Sequence, residues 1–311
     1  WSWGLGTSGQ LGDNAATTRS SPVQTTAFGS NWKQASIFNL TNAAIKNDGT
    51  LWLWGDNATG QIGDNTVTKR SSPVQTVALG TTWKQVAMGF GHAACVKTDG
   101  TLWAWGDAAT YGQLGDNTAT AKSSPVQTVT FATNWKNVAT GAHHTAATKT
   151  DGTLWTWGRN TSGQLGDNTV THRSSPVQTV ALGSNWVQVA CGYYYTAATK
   201  TDGTLWLWGI NTSGQLGDNT VTQRSSPVQT VAFGSNWRSV ACGNSTTAAI
   251  KTDGTLWTFG IGSSGQLGDN TAVSKSSPVQ TVTFDTTWKQ VTVGNGHLAA
   301  TKQIILCGHG V

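Results

Sequence analysis

One motif returns six times at a near-constant interval. Gly-Gln-Leu-Gly-Asp-Asn begins at Gly9, Gly112, Gly163, Gly214 and Gly265, and at Gly60 with Ile62 in place of leucine. The steps between copies are 51, 52, 51, 51 and 51 residues. The six prolines, Pro22, Pro73, Pro125, Pro176, Pro227 and Pro278, keep the same steps, so every proline belongs to one register. Asp-Gly-Thr-Leu-Trp recurs at Asp48, Asp99, Asp151, Asp202 and Asp253. The single inserted residue lies near Tyr111 and reads as loop. A period of this length means stacked copies of one supersecondary unit, each burying its apolar face against the next.

The unit is built of strands. There is no glutamate among the 14 acidic residues, and glycine (38) and tryptophan (17) are abundant, which argues against helices. Each copy holds four short runs, here called a to d. In the second copy they are Trp83 to Ala87 (a), Ala93 to Lys97 (b), Leu102 to Gly106 (c) and Pro125 to Val129 (d). Asp-Gly between b and c suits a tight hairpin, because glycine accepts the positive φ of a type I′ turn. Proline at the start of d fits an outer edge strand, where a missing N–H costs no ladder bond. In run c the tryptophans are two apart and share one face of the strand. Trp1, Trp3, Trp52, Trp54, Trp103, Trp105, Trp155, Trp157, Trp206, Trp208 and Trp257 are therefore expected as core. No apolar run is long enough to span a bilayer as a helix. The chain begins at Trp1 without a leader, which reads as a processed chain or a fragment, and the compartment stays unassigned.

Four strands per unit of about 50 residues predict an all-β fold, a β-propeller of six four-stranded blades. Val-Ala-x-Gly-x-x-His-x-Ala-Ala, then Asp-Gly-Thr-Leu-Trp-x-Trp-Gly, then Gly-Gln-Leu-Gly, resembles the regulator-of-chromosome-condensation repeat family across residues 1–302. That resemblance implies a propeller, usually of seven blades, so six repeats also read as a fragment of a seven-bladed or larger parent. It implies protein binding as well: the family holds an exchange factor for a small GTPase, a secreted inhibitor of β-lactamases and a plant UV-B receptor. The receptor's Gly-Trp-Arg-His-Thr stretches are matched here by Phe90, His143 and Tyr194, never by tryptophan. The near-uniform repeats leave no room for an exchange factor's wedge hairpin.

The chain opens at run c (Trp1 to Gly4) and continues through d, and it closes with a (Trp288 to Thr292) and b (Leu298 to Lys302). One blade would then join both ends and clasp the ring within a monomer. Residues 303–311 break the pattern. Lys-Thr-Asp-Asn-Ser-Leu-Trp-Ser-Trp-Gly, with one adenine deleted from its coding run, reads Lys-Gln-Ile-Ile-Leu-Cys-Gly-His-Gly-Val, the end of this chain. The tail is expected to be an out-of-frame piece of a further repeat.

Charge follows the columns. Arg19, Arg70, Lys122, Arg173, Arg224 and Lys275 form one basic column, and Lys46, Lys97, Lys149, Lys200, Lys251 and Lys302 another. Lys33, Lys84, Lys136, Arg238 and Lys289 form a third, and the net +5 is interleaved with aspartate around the ring. Nucleic acid would want a one-sided stripe, so no nucleic-acid or membrane partner is expected. Cys95, Cys191, Cys242 and Cys307 make no CxxC framework and read as small apolar residues. Asn39, Asn57, Asn160, Asn211 and Asn244 begin chance Asn-x-Ser/Thr triplets.

Most columns are nearly fixed, and the three residues between a and b are the stretch that changes most between copies. They supply the candidate binding face: Phe90, His92, His143, His144, Tyr193, Tyr194, Tyr195, Asn244, Asn295 and His297. Identical units supply like groups, whereas catalysis needs unlike ones in one place. No catalytic residue, metal site or cofactor is therefore expected. The expected partner is a protein. A multivalent glycan, or a recently amplified propeller with no evolved partner, are the alternatives.

Overall fold

The computed structural model describes residues 1–303 except 28, 30, 182, 232, 233 and 235. Its strands follow the repeat. β1 (Ser2–Gly4) and β2 (Arg19–Val23) form a two-stranded sheet. Four-stranded sheets follow: β3 (Trp32–Phe38), β4 (Thr41–Lys46), β5 (Leu51–Gly55) and β6 (Arg70–Gln75), then β7 (Trp83–Met88), β8 (His92–Lys97), β9 (Leu102–Gly106) and β10 (Lys122–Gln127). The third is β11 (Trp135–Thr140), β12 (His144–Lys149), β13 (Leu154–Gly158) and β14 (Arg173–Gln178). The fourth is β15 (Trp186–Cys191), β16 (Tyr195–Lys200), β17 (Leu205–Gly209) and β18 (Arg224–Gln229). The fifth is β19 (Trp237–Cys242), β20 (Thr246–Lys251), β21 (Leu256–Gly260) and β22 (Lys275–Gln280), and β23 (Trp288–Val293) pairs with β24 (Leu298–Lys302) in a last two-stranded sheet. The fold is an all-β propeller of four-stranded antiparallel blades. Among the described residues no helix is long and apolar enough to cross a membrane.

Strand d starts earlier than the prolines suggested, at Lys122 rather than Pro125 in the second blade. Proline is tolerated inside it because d is outermost and the c–d register slips there, from Lys122↔Gly106 to Val126↔Ala104. Strand a is innermost and meets the a strand of the next blade. There Gln34 brackets Val86, its Nε2 donating to the Val86 carbonyl (2.9 Å) while its Oε1 accepts from the Val86 N–H (3.1 Å). Gln85 does the same to Val138, and Gln188 to Val240.

The two tryptophans of strand c do different jobs. The second tryptophan of c is core: Trp54, Trp105, Trp157 and Trp208 are buried, as is Phe259 in the fifth blade. Its Nε1 donates to the preceding unit's Gly-Gln-Leu-Gly loop, from Trp105 to the Gln61 carbonyl at 2.9 Å and from Trp157 to that of Gln113 at 2.9 Å. The first tryptophan of c (Trp52, Trp103, Trp155, Trp206 and Trp257) is half-buried. It is capped by the lysine that ends strand b, which lies over both it and the tryptophan of strand a: Lys97 Nζ sits 4.5 Å from the Trp103 ring centre and 4.6 Å from that of Trp83. This accounts for the second basic column. The first is paired: Arg173 Nε meets Asp167 Oδ2 at 2.9 Å, and the equivalent pair forms in all six units.

The expected clasp does not form among the described residues. β1–β2 and β23–β24 remain separate sheets, and β24 does not pair with β1. Trp1 and Trp3, expected as core, are 78% and 62% exposed. The contacts between blades repeat almost identically from Gln34–Val86 to Gln188–Val240. Residues 304–311, and with them Cys307 and most of the proposed frame-shifted tail, lie outside the described residues.

Candidate functional site

The a–b turns gather at one end of the fold. Their backbones are hydrogen-bonded in sequence around it, Phe90 N–H to the Ala142 carbonyl (3.2 Å), Ala142 N–H to Tyr193 (3.2 Å) and Tyr193 N–H to Gly243 (3.3 Å). The residue after strand c joins them, because its N–H donates to the middle residue of its own turn: Asp107 to Gly91 at 2.8 Å, Arg159 to His143 at 2.8 Å, Ile210 to Tyr194 at 3.0 Å.

Each turn divides its three residues between two tasks. The third points inward and is removed from any contact surface: His92, His144 and Tyr195 are 0% exposed. This corrects the expectation that all three face a partner. His92 Nε2 lies 3.1 Å from Thr145 Oγ1, and that hydroxyl donates to the Gln113 carbonyl at 2.8 Å. The threonine proton is thus committed, so the imidazole donates from Nε2 and is the Nε2–H tautomer. His144 repeats the chain through Thr196 Oγ1 (3.0 Å) to the Gln164 carbonyl (2.9 Å). Nδ1 of both rings has no protein partner. A proton there would be a buried cation without an acceptor, and burial, with the neighbouring His143 next, lowers both pKa values to about 3. Tyr195 fills the same slot in the fourth unit and donates from Oη to the Thr246 carbonyl at 2.7 Å. In the last described unit His297 is exposed, as are Asn244 and Asn295 on their turns. Asn244 Nδ2 donates to Asn295 Oδ1 at 2.9 Å.

The other turn positions converge. Tyr193, from the fourth unit, stacks on Phe38 of the first (ring centres 6.2 Å, 30°) and meets Phe90 of the second edge-on (6.4 Å, 77°). Phe90 also lies 5.6 Å from His143. Four units therefore meet in one aromatic cluster, and Phe90 is 41% exposed at its top. Tyr194 packs against Tyr193 at 4.6 Å. The inserted Tyr111 sits 5.4 Å from His143 and 4.9 Å from His172. The Arg159 guanidinium lies over Tyr194 at 4.2 Å and over Tyr111 at 5.3 Å, and its Nε donates to Thr161 Oγ1 at 3.0 Å. Arg19, Arg70, Arg173 and Arg224 pair with carboxylates, and Arg238 donates to the Trp288 carbonyl at 2.7 Å. Arg159 meets no acid among the described residues. Burial lowers the pKa of His143 despite Asp107, whose Oδ2 is 4.0 Å from Nδ1. Burial raises the Tyr193 phenol.

Phe38, Tyr111, Arg159 and His172 were missed in the sequence reading. A signal existed for Arg159: its column reads Leu5, Asp56, Asp107, Arg159, Ile210 and Ile261, a second place where the copies disagree. One existed for Phe38 as well, which stands where the other five copies have glycine (Gly89, Gly141, Gly192, Gly243 and Gly294), though its contact with Tyr193 across the ring is visible only in the fold. Among the described residues, no group of three His, Cys, Asp or Glu lies close enough to hold a metal ion. Burial holds the Cys95 and Cys242 thiols protonated, the latter at about 12, and none of the described cysteines is disulfide-bonded. Asn57, Asn160 and Asn211 are buried, where their amides tie down the c–d loops.

Comparison with known proteins agrees with the fold. A family model described as RCC1-like domain matches residues 1–310. The Arabidopsis thaliana ultraviolet-B receptor UVR8 is 32% identical over 288 residues, 89% of this chain and 64% of that protein. The RCC1 domain-containing mitochondrial protein RUG3 of the same plant is 27% identical over 282 residues, covering 86% and 62%. The chain spans less than two thirds of the length of these curated relatives. Among solved structures, Prp20p from Saccharomyces cerevisiae, described with its binding properties to Gsp1p and histones, superposes with a TM-score of 0.85 at 20% identity, over 97% of this chain and 78% of that one. Human WBSCR16 does so with 0.77 at 23% identity, over 88% and 73%.

Proposed function

The chain belongs to the RCC1-like domain family, and we propose that it is a non-catalytic scaffold that binds a protein partner at the end of the ring where its a–b turns meet. One observation carries this reading: Phe38, Phe90, His143, Tyr193, Tyr194 and Arg159, all at positions that differ between copies, meet in a single aromatic and cationic cluster. Tyrosine and arginine are the residue types that dominate binding energy at protein interfaces. Arg159, stacked on two tyrosines and without an acid, is the anchor for an acidic group of the partner. The yeast relative solved bound to Kap60 supports a protein as the class of ligand.

The cluster occurs once, not six times, which counts against a repeated glycan site. Affinity capture from source lysate tests the reading. A stoichiometric protein should be retained by the native chain and by Lys84→Ala, whose lysine lies on strand a two residues from the opposite end. Its affinity should fall about 30-fold or more on Tyr193→Ala and on Arg159→Glu. Capture unaffected by either variant would refute the site. Several glycans bound per chain, with Tyr193→Ala harmless, would replace it with the multivalent reading.

A further inference from the structure

The net +5 of this chain lies at one end of the fold. Strands a and c run one way and b and d the other, so the b–c hairpins and the d–a loops share the end opposite the a–b turns. Hydrogen bonds tie them together around it. The N–H that opens each a strand donates to the hairpin of the preceding unit, Trp83 to the Gly49 carbonyl at 3.1 Å, Trp135 to Gly100 at 3.0 Å and Trp186 to Gly152 at 3.0 Å. The second and third basic columns, eleven cations, stand at this end against six acids, Asp48, Asp99, Asp151, Asp202, Asp253 and Asp285. At the other end the first column, Lys69 and Arg159 make eight cations, and eight aspartates match them. Charge is interleaved around the ring but not from one end to the other, which removes the reason for expecting no membrane partner. The hairpin acids are also turned back on their own loops: Asp99 Oδ1 accepts from the Thr101 N–H (2.9 Å) and Oγ1 (2.7 Å), and the same turn forms in each complete blade. The third column, Lys33, Lys84, Lys136, Arg238 and Lys289, is exposed and meets no carboxylate among the described residues.

The same end carries large apolar side chains in solvent. One d–a loop position reads Phe28, Leu79, Phe131, Leu182, Phe233 and Phe284. It has changed between copies without ceasing to be large and apolar, while the next position runs from glycine to Ala132 and Asp285. Phe28, Leu182 and Phe233 lie outside the described residues. Leu79, Phe131 and Phe284 are 74%, 70% and 70% exposed. Phe131 and Phe284 also stand at a φ of 45°, in the left-handed region that a bulky residue adopts only under strain. Each closes a tight turn, its N–H donating at 3.1 Å to the carbonyl of Thr128 or Thr281. Exposure and backbone strain thus fall on the same side chain, and neither ring joins the core clusters that would offset them. The exposed valines on the c–d loops, Val67, Val170, Val221 and Val273, lie at the end where charge cancels. We propose that the b–c and d–a end docks on an anionic lipid bilayer, with the d–a tips entering the headgroup region and the third basic column meeting lipid phosphates and carboxylates. The phosphates of a nucleic acid would satisfy the cations but give the apolar tips no medium to enter, whereas an anionic bilayer supplies both. A polybasic surface or an apolar anchor alone holds a protein to a membrane marginally, and the two together hold it stably. The a–b turns then face away from the bilayer, so this docking does not depend on the protein site proposed there.

Flotation of the full chain with phosphatidylcholine vesicles, with and without about a third of phosphatidylserine, tests this. At about 0.1 M salt the native chain should bind the anionic vesicles at least about 10-fold more tightly than the neutral ones. The Leu79→Ser, Phe131→Ser, Phe284→Ser variant should bind them about 30-fold more weakly, and so should Lys84→Glu, Lys136→Glu, Lys289→Glu. Val67→Ser with Val221→Ser, at the opposite end, should bind like the native chain, and so should Tyr193→Ala, which disturbs only the protein site. The serine and glutamate changes fall on exposed side chains, and an unchanged melting temperature shows that these variants fold. A second measurement needs no variant: injected beneath a phosphatidylserine monolayer of fixed area, the native chain should raise the surface pressure, as apolar insertion does and adsorption by charge alone does not. The proposal is overturned if the native chain leaves anionic vesicles unbound, or if binding survives the triple serine variant. Survival together with a flat surface pressure and displacement of the vesicles by duplex DNA would make this end a nucleic-acid surface instead.

Discussion

Trp105→Ala should cost the fold about 4 kcal/mol, while Trp3→Ala, the same substitution in the same column, should cost less than about 1 kcal/mol. Trp105 is fully buried in a cluster with Leu53, Ile62, Trp83 and Val86, its ring 6.0 Å from that of Trp83. Removing it opens a cavity at the junction of the first two complete blades, and Gly63, which lies against the ring, cannot fill it. It also takes the hydrogen-bond donor from the buried Gln61 carbonyl, 2.9 Å away, which adds about 1 kcal/mol or more. Trp3 is 62% exposed and has no such neighbours. Urea unfolding of both variants at pH 7.5 measures the difference. Equal losses would mean that Trp3 is buried in solution, and hence that the ring closes on itself.

Stability should fall steeply between pH 6.5 and 4.5, before the aspartates titrate. His92 and His144 are neutral in the fold, with pKa values lowered to about 3 by burial and then by neighbouring cationic groups. In the unfolded chain each titrates near 6.5. Below that value the unfolded state takes up protons the native state refuses, so the stabilisation is complete above about pH 6.5 and is lost as pH falls toward 3. Each histidine contributes a slope approaching 1.4 kcal/mol per pH unit, so the two together remove roughly 5 kcal/mol by pH 4.5. His143 and His172, also lowered by burial, act in the same direction. The aspartates answer later: burial raises Asp167 and Asp218, but hydrogen bonds from Thr169, Arg173, Thr220 and Arg224 outweigh it and hold both below the usual 3.8. The fourth unit supplies the control, because Tyr195 fills the histidine slot without titrating in this range. The His92→Tyr, His144→Tyr double variant should flatten the slope between pH 6.5 and 4.5. An unchanged slope would place the acid sensitivity elsewhere.

The core was legible in part: Trp54, Trp105, Trp157 and Trp208 are buried as expected, but the first tryptophan of c is only half-buried and Trp1 and Trp3 are exposed. Trp54, Trp105, Trp157 and Trp208 recur at one position because each fills the same junction between blades, and the first three also donate to the preceding Gly-Gln-Leu-Gly loop. A requirement repeated at each junction leaves a repeated residue, and that is visible in one chain. The site was half legible. Disagreement between copies marked the turns and singled out Phe90, His143, Tyr193 and Tyr194. It did not separate these from His92, His144 and Tyr195, which vary just as freely but fill a buried slot. Side-chain direction within a three-residue turn depends on backbone angles that residue identity does not declare. Tyr111 looked like a loop insertion, and only the fold shows it packed on His172 and under Arg159.

By itself, then, the repeat determined the strands, their order within a blade and the contact between one blade and the next, because each is a local requirement restated in every copy. Two matters rested on the tertiary structure alone: whether the ends meet, and which side chains face one another across the middle. Both depend on the angle between blades accumulated over several junctions. No single repeat encodes that sum, so Trp3 is left in solvent, and Phe38 finds Tyr193 three units away.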